Sequence, residues 1–153
     1  MKSEIKERGK FKYFERGEGQ VILILHGLFG ALSNFEGVIG HFGKTHRVVV
    51  PIMPLYEMPI VKTGVTTLAK YISDFMEEMN FDDVILLGNS LGGHVALVTA
   101  KMRPEWVKAM VLTGSSGLYE NAFGGSFPRR EDKDYIRKKI AVTFYDPAIV
   151  TDE

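Results

Sequence analysis

The chain has 153 residues, which is enough for one domain with a sizeable core and too few for two domains of ordinary size. Hydrophobic residues make up 45% and charged residues 25%, as in typical globular chains, and a formal net charge of zero gives no sign of a nucleic-acid or membrane partner. The absence of cysteine excludes disulfides and thiolate metal sites, and without an apolar stretch of signal-peptide length at the N-terminus we expect a cytoplasmic protein.

The first predicted elements are strands. The segment IKERGKFKYFERGEG is typical of a short β-hairpin. Four runs rich in Val, Ile and Leu follow at 21–25, 48–50, 84–87 and 107–112, the last interrupted by Lys108. Because these runs mostly do not alternate with polar residues, they predict strands that are buried on both faces of a parallel sheet.

Two helices are predicted between these strands. Within 64–81, apolar residues recur at helical spacing, at Val65, Leu68, Ala69, Ile72, Phe75, Met76 and Met79. The opposite face of this helix is expected to carry Lys70, Ser73, Asp74, Glu77 and Glu78. A second helix, 90–102, is apolar nearly all round, which favours a deeply packed helix. This alternation predicts an α/β fold with a mostly parallel sheet and flanking helices.

The character of the sequence changes after residue 112. The segment TGSSGLYENAFGGSFPRREDKD is rich in glycine, serine and charge, which is typical of a surface loop. The last segment, KDYIRKKIAVTFYDPAIVTDE, has the pattern of an amphipathic helix with Pro147 near its end. The sequence contains no repeat and no low-complexity tract.

Residues 88–92, with the sequence GNSLG, fit the pattern G-x-S-x-G. The pattern alone occurs by chance in roughly one chain in twenty of this length, given the usual frequencies of Gly and Ser. The context is more specific, because DVILLG supplies a strand before Ser90 and LGGHVALVTAKM a helix after it. At such a corner a serine adopts strained backbone angles and becomes an exposed nucleophile.

A second glycine-rich loop lies upstream of this corner. The strand VILIL ends in His26-Gly27-Leu28-Phe29-Gly30. A loop of this kind can turn a backbone N–H toward the serine, and the N–H of Leu91 at the start of the helix supplies another donor. Two such donors form an oxyanion hole.

These paired motifs, strand-HG-x-x-G and strand-GNSLGG-helix, resemble the α/β-hydrolase superfamily, and in particular its small cap-bearing esterases, lipases and carbon–carbon bond hydrolases. The resemblance extends from the hairpin to the start of the cap. It implies that Ser90 is the nucleophile and that the N–H groups of Leu28 and Leu91 form the oxyanion hole. It also implies that residues 1–115 are the N-terminal part of the hydrolase core and that 116–153 begin the cap.

The activity implied by the resemblance is hydrolysis of a carboxylic ester with a modest apolar acyl group, through an acyl-enzyme on Ser90. Neither a metal nor an organic cofactor is expected, and no cluster of His, Asp and Glu has metal-ligand spacing. Phe29 and Tyr56 are the predicted substrate-pocket residues. Further candidates are Leu28, Leu32, Phe35 and Met58. For most of these six residues, ordinary core packing is an equally good interpretation.

Two features depart from the family pattern. The segment PIMPLYEMP at 51–59 stands where family members usually have a glycine-rich stretch. The acid and histidine of the triad normally follow the serine beyond the cap, so the sequence predicts a hydrolase fold that lacks its C-terminal strands. The alternative hypothesis is therefore a truncated, catalytically inactive fragment that self-associates through the exposed edge of its last strand, 107–112.

Other candidates for chemistry are weaker. His94 lies one turn after Ser90 and is a possible substitute base, although a packed helix histidine is the favoured interpretation. His26 is expected to hold its loop in shape, and His41 and His46 are expected to face solvent. The segment Gly43-Lys44-Thr45 resembles the end of a phosphate-binding loop but precedes a strand instead of following one.

Overall fold

The computed structural model describes residues 4–28, 32–55, 57, 64–118 and 134. The described residues form a six-stranded sheet with three helices. The strands are β1 (Lys6–Arg8), β2 (Phe11–Arg16), β3 (Val21–Leu25), β4 (Arg47–Pro51), β5 (Val84–Asn89) and β6 (Val107–Thr113). All four apolar runs are strands, and the predicted hairpin is β1–β2.

The strand order across the sheet is β1-β2-β4-β3-β5-β6. The hairpin pairs antiparallel with β4, whereas β4, β3, β5 and β6 run parallel to one another. The predicted α/β class with a mostly parallel sheet is confirmed. Because β3 lies between β4 and β5, the chain reverses direction across the sheet after β4. In parallel sheets a reversal of this kind leaves a crevice at the carboxyl ends of the strands.

The helices are α1 (Glu36–Phe42), α2 (Val65–Glu78) and α3 (Leu91–Met102). The sequence predicted α2 and α3, but it did not predict α1 or the 3₁₀ turn before it, Leu32–Phe35. The prediction that Ser73 lies on the polar face of α2 was wrong, because this side chain is only 3% exposed. Its hydroxyl donates to the carbonyl of Ala69 at 2.9 Å, which satisfies the buried group.

The strands β3, β4 and β5 are covered on both faces, whereas most residues of β6 are exposed, so the prediction that 107–112 is buried on both faces was wrong. Alternate residues of β3 point to opposite sides, so that Leu23 and Leu25 pack with α2 and α3, while Ile22 and Ile24 pack with α1. Phe75 of α2 is completely buried and contacts three aromatic rings, those of Phe11, Tyr13 and Phe81. The burial on both faces explains why the central strands have continuous apolar runs.

Charged side chains hold the hairpin edge of the sheet. Glu15 of β2 accepts hydrogen bonds from Lys6 at 2.7 Å and from Arg47 at 2.7 Å. Burial favours a higher pKa for Glu15, but the hydrogen bonds and charges of Lys6 and Arg47 prevail and lower the pKa below its usual value. The guanidinium of Arg47 also lies 5.0 Å from the ring centre of Phe81.

The chain divides into two units, Met1–Tyr119 and Glu120–Glu153, and apart from Asp134 the described residues belong to the first. The division into 1–115 and 116–153 stays a prediction. Among the helices that the structure describes, none has the length and hydropathy needed to cross a bilayer.

Candidate active site

Ser90 occupies the turn between β5 and α3, and its backbone has φ 53° and ψ −120°. A positive φ is uncommon in residues other than glycine and marks local strain. Ser90 is also exposed. The structure therefore confirms the strained, exposed corner that the motif predicted.

Glycines allow this corner to pack tightly. A Cβ atom on Gly88 would lie 2.6 Å from the carbonyl oxygen of Gly92, and one on Gly92 would overlap the carbonyl of Leu25. Any side chain at these two positions would push α3 away from β3 and β5. The glycines of GNSLGG are therefore required by the close approach of the helix to the sheet.

The loop after β3 lies directly beside Ser90. A Cβ on Gly27 would be 3.2 Å from the Cβ of Ser90, so the backbone of this loop borders the nucleophile. Leu28, the next residue, is 46% exposed, and Leu91 begins α3 on the other side of Ser90. The first N–H groups of a helix have no carbonyl partner one turn earlier and carry its positive dipole end. The arrangement is compatible with the oxyanion hole predicted at Leu28 and Leu91, which stays a prediction.

His26 holds the loop in place, as the sequence suggested. The N–H of Met53 donates to Nε2 of His26 at 3.2 Å, so the ring proton must be on Nδ1. Nδ1 in turn donates to the carbonyl of Gly27 at 2.9 Å. Because both ring nitrogens have partners, His26 links the loop after β3 to the segment after β4.

His94 is packed against the segment that follows β6. A Cβ on Gly117 would lie 2.7 Å from Nε2 of His94, so the ring fills the space beside that glycine. The backbone N–H of His94 donates to the carbonyl of Ser90 at 3.3 Å. The described hydrogen bonds include none between the His94 ring and the Ser90 hydroxyl, which favours the packed histidine over the substitute base.

The remaining histidines and the aspartates before β5 lie elsewhere. His41 is exposed on α1, and Nδ1 of His46 lies 2.8 Å from the hydroxyl of Thr45. Asp83 precedes β5, at the opposite end of the sheet from Ser90, and forms an ion pair with Lys108 at 2.9 Å. The described part of the chain therefore does not place a histidine–carboxylate pair beside Ser90.

The predicted pocket residues have different outcomes. Phe29, Tyr56 and Met58 lie outside the described residues. Phe35 is 6% exposed and belongs to the core on the α1 side of the sheet, so it does not line an open pocket. No group of three or more potential metal ligands occurs among the described residues.

One contact of Ser90 was missed by the sequence reasoning. Thr113, the last residue of β6, accepts hydrogen bonds from the backbone N–H of Ser90 at 3.0 Å and from the Asn89 side chain at 3.1 Å. No motif marks Thr113, because the contact depends on the pairing of β5 with β6. The only sequence signal is a polar residue at the carboxyl end of a predicted parallel strand.

Comparison with known proteins places this geometry in a family. Residues 20–143 match the model of the alpha/beta hydrolase fold. The chain is 34% identical over 114 residues to 2-hydroxy-6-oxo-6-(2'-aminophenyl)hexa-2,4-dienoic acid hydrolase of Metapseudomonas resinovorans, a match over 70% of this chain and 39% of the relative. It is 29% identical to 2-hydroxy-6-oxo-6-phenylhexa-2,4-dienoate hydrolase of Comamonas testosteroni, over 92% of this chain and 56% of the relative. The chain thus spans about half the length of these relatives or less.

Solved structures agree with the family match. An alpha/beta hydrolase enzyme from a sediment metagenome of the Mar Chica lagoon in Morocco is 55% identical and superposes with a TM-score of 0.72, over 76% of this chain and 54% of that one. A meta-cleavage product hydrolase from Pseudomonas fluorescens is 26% identical with a TM-score of 0.71, over 93% of this chain and 56% of that one. These relatives are hydrolases, and the shared architecture includes the part of the fold that contains Ser90.

Proposed function

The chain belongs to the alpha/beta hydrolase family, and from this premise we propose that it is a serine hydrolase that cleaves a carboxylic ester through Ser90. The observation that supports this proposal most directly is the strained, exposed Ser90 at the β5–α3 corner, next to the Gly27 loop. A family fold alone does not define a reaction, so the proposal rests on this site.

In the proposed reaction the Ser90 hydroxyl oxygen attacks the ester carbonyl and loses its proton to a base. The N–H groups of Leu28 and Leu91 stabilise the oxyanion, with the N-terminus of α3 adding its positive potential. The alcohol leaves with a proton, and an acyl-enzyme forms on Ser90. Water then releases the carboxylic acid and restores the serine, so the net reaction consumes one water per ester.

The substrate is proposed to be a small ester with a modest apolar acyl group, because Leu28, which follows Gly27 in the loop that borders Ser90, exposes an apolar side chain. The relatives named for 2-hydroxy-6-oxo-hexadienoate substrates supply a second class to test. The absence of cysteine fits a reducing cytoplasm, which is the compartment that we propose.

The first experiment is labelling with a fluorophosphonate probe at neutral pH. We expect the wild type to be labelled at Ser90, Ser90→Ala to be unlabelled, and the exposed-serine control Ser33→Ala to be labelled like the wild type. An unlabelled wild type would contradict the proposal for this chain. Turnover of p-nitrophenyl butyrate and of 2-hydroxy-6-oxo-6-phenylhexa-2,4-dienoate then identifies the substrate class.

A second candidate function, self-association without catalysis, is favoured by the exposure of β6. This strand pairs with β5, and no other described strand pairs with its outer edge. Met110 and Val111 are 37% and 48% exposed, although they belong to an apolar strand. Long apolar edges of this kind pair readily with another chain.

A second copy of the chain can provide a strand that pairs with this edge. In a two-fold antiparallel pair centred on Met110, Lys108 of one copy faces Leu112 of the other, so like charges do not meet. We expect sedimentation to show a dimer that Met110→Lys converts to a monomer. Met102→Lys is the matched control, since Met102 is 40% exposed but lies at the end of α3. A monomeric wild type at all concentrations would exclude this function.

A further inference from the structure

The strain at Ser90 must be balanced by contacts around it. A non-glycine residue with positive φ persists only when the surrounding structure fixes its conformation. The α3 side provides part of this support, because the N–H groups of Gly93 and His94 donate to the carbonyl of Ser90 at 3.0 and 3.3 Å. These bonds belong to the first turn of the helix and do not fix the N–H of Ser90.

The N–H of Ser90 is fixed by the end of β6, where it donates to the carbonyl of Thr113 at 3.0 Å. The side-chain amide of Asn89 donates to the same carbonyl at 3.1 Å and to the Thr113 hydroxyl at 3.0 Å. A carbonyl can only accept, so the amide nitrogen of Asn89 must face Thr113. The two residues therefore form a pair that connects β5 to β6 immediately before the nucleophile.

The same segment also contacts the other side of Ser90. The N–H of Ser116 donates to the carbonyl of Ser90 at 3.2 Å. On the opposite side of Asn89, its Oδ1 would be 3.6 Å from a Cβ on Gly27, so the Asn89 side chain lies between the Gly27 loop and β6. Three segments surround Ser90: the Gly27 loop, the end of β6 and α3. Asn89 thus contacts the first two of them.

We propose that the Asn89–Thr113 pair is a positioning contact that holds Ser90 in its strained conformation and in register with the Gly27 loop. The inference deepens the proposed function and rests on it where it concerns reactivity. Asn89 and Thr113 act through the backbone of Ser90, so they are positioning residues. The choice of asparagine at residue 89 is then explained by its partner on β6, although the motif G-x-S-x-G allows any residue type at this position.

The test is a double-mutant cycle of Asn89→Ala and Thr113→Val, read by amide hydrogen exchange of Ser90. Because one net hydrogen bond corresponds to up to about a tenfold change in an equilibrium, we expect about tenfold faster exchange in Asn89→Ala and about threefold in Thr113→Val. If the two residues act through their mutual contact, we expect exchange about tenfold faster in the double variant. Independent effects would give about thirtyfold faster exchange and would contradict a coupling between Asn89 and Thr113.

Controls separate positioning from general loosening. Thr113→Ser retains the hydroxyl and should restore exchange nearly to the wild-type rate. Thr66→Val makes the same Thr-to-Val change at an exposed position of α2 and serves as the matched control. Exchange at Thr45, whose N–H donates to the carbonyl of Phe42 in the turn between α1 and β4, should stay within about twofold of wild type in every variant, because this turn opens without breaking the Asn89–Thr113 pair. Equal acceleration at Thr45 and Ser90 would indicate a general loosening of the structure and would overturn the positioning role. If Asn89→Ala does not fold, the comparison of Thr113→Val with Thr113→Ser decides.

Reactivity provides an independent measurement. If the wild type is labelled by the fluorophosphonate, Asn89→Ala should label about tenfold more slowly, since small displacements of a nucleophile have effects of this size or larger. Unchanged labelling would overturn the positioning role. An unlabelled wild type contradicts the proposed function, but the exchange cycle still decides the inference, because it requires only a folded chain.

Discussion

The two edges of the sheet differ in length and charge. The β1 edge is three residues long, has the sequence Lys-Glu-Arg, and is fixed by ion pairs to Glu15 and Glu78. The β6 edge is seven residues long and carries one charge, Lys108. The same sheet is thus protected against strand pairing at the β1 edge, by its short length and its charges, and is not protected in this way at the β6 edge.

This difference shows where the described structure can accept another strand. Short, charged edge strands resist pairing with other chains, whereas long apolar ones invite it. The β6 edge is also the one whose last residue, Thr113, supports Ser90. Ser90 is therefore hydrogen-bonded to the less protected edge, while the aromatic packing around Phe75 supports the other edge.

The largest expected effect comes from breaking the aromatic packing behind the hairpin. Phe75→Ala should lower the free energy of unfolding by about 3–5 kcal/mol, because it removes a completely buried ring and leaves a cavity. Met110→Ala on the exposed edge should change it by less than about 0.5 kcal/mol. Urea unfolding measures both, and similar losses in the two variants would contradict the contrast between the edges.

A smaller effect of opposite sign is expected within α3. Thr99 of α3 is completely buried, and its hydroxyl has no hydrogen-bond partner among the described residues. Thr99→Val replaces the hydroxyl with a methyl group of similar shape and should raise the free energy of unfolding by roughly 1 kcal/mol. The exposed control Thr66→Val should have little effect. A destabilised Thr99→Val would mean that this hydroxyl has a partner.

The smallest expected effect is electrostatic and lies at the protected edge. Because the pKa of Glu15 is lowered in the folded state, its contribution to stability is complete above the usual value of 4.5 and is lost as pH falls through the lowered value. Glu15→Gln should cost about 0.5–1 kcal/mol at pH 7. The difference from wild type should shrink at pH 3. A difference that stays constant between these pH values, or an equal loss in the exposed control Glu18→Gln, would rule out the ionic explanation.

The sequence predicted most of the fold because apolar periodicity reports burial directly. The four parallel strands, α2 and α3 were all found in this way. Helix α1 was not, since it has only seven residues and contains two glycines, Gly37 and Gly40, which weaken the helical signal. Ser73 was misplaced because its type suggested an exposed face, whereas its hydroxyl bonds to the preceding turn of its own helix.

By itself the sequence determined the family, the strand-to-helix corner and its serine, because a serine flanked by glycines between a strand and a helix is a pattern with few other structural roles. Only the tertiary structure decided which groups surround Ser90. His26 binds Met53, and Thr113 and Ser116 reach Ser90 from a segment more than twenty residues away. The physical reason is that strand order and register, which are properties of the whole sheet, bring these backbone groups together, and no local pattern in the sequence encodes them.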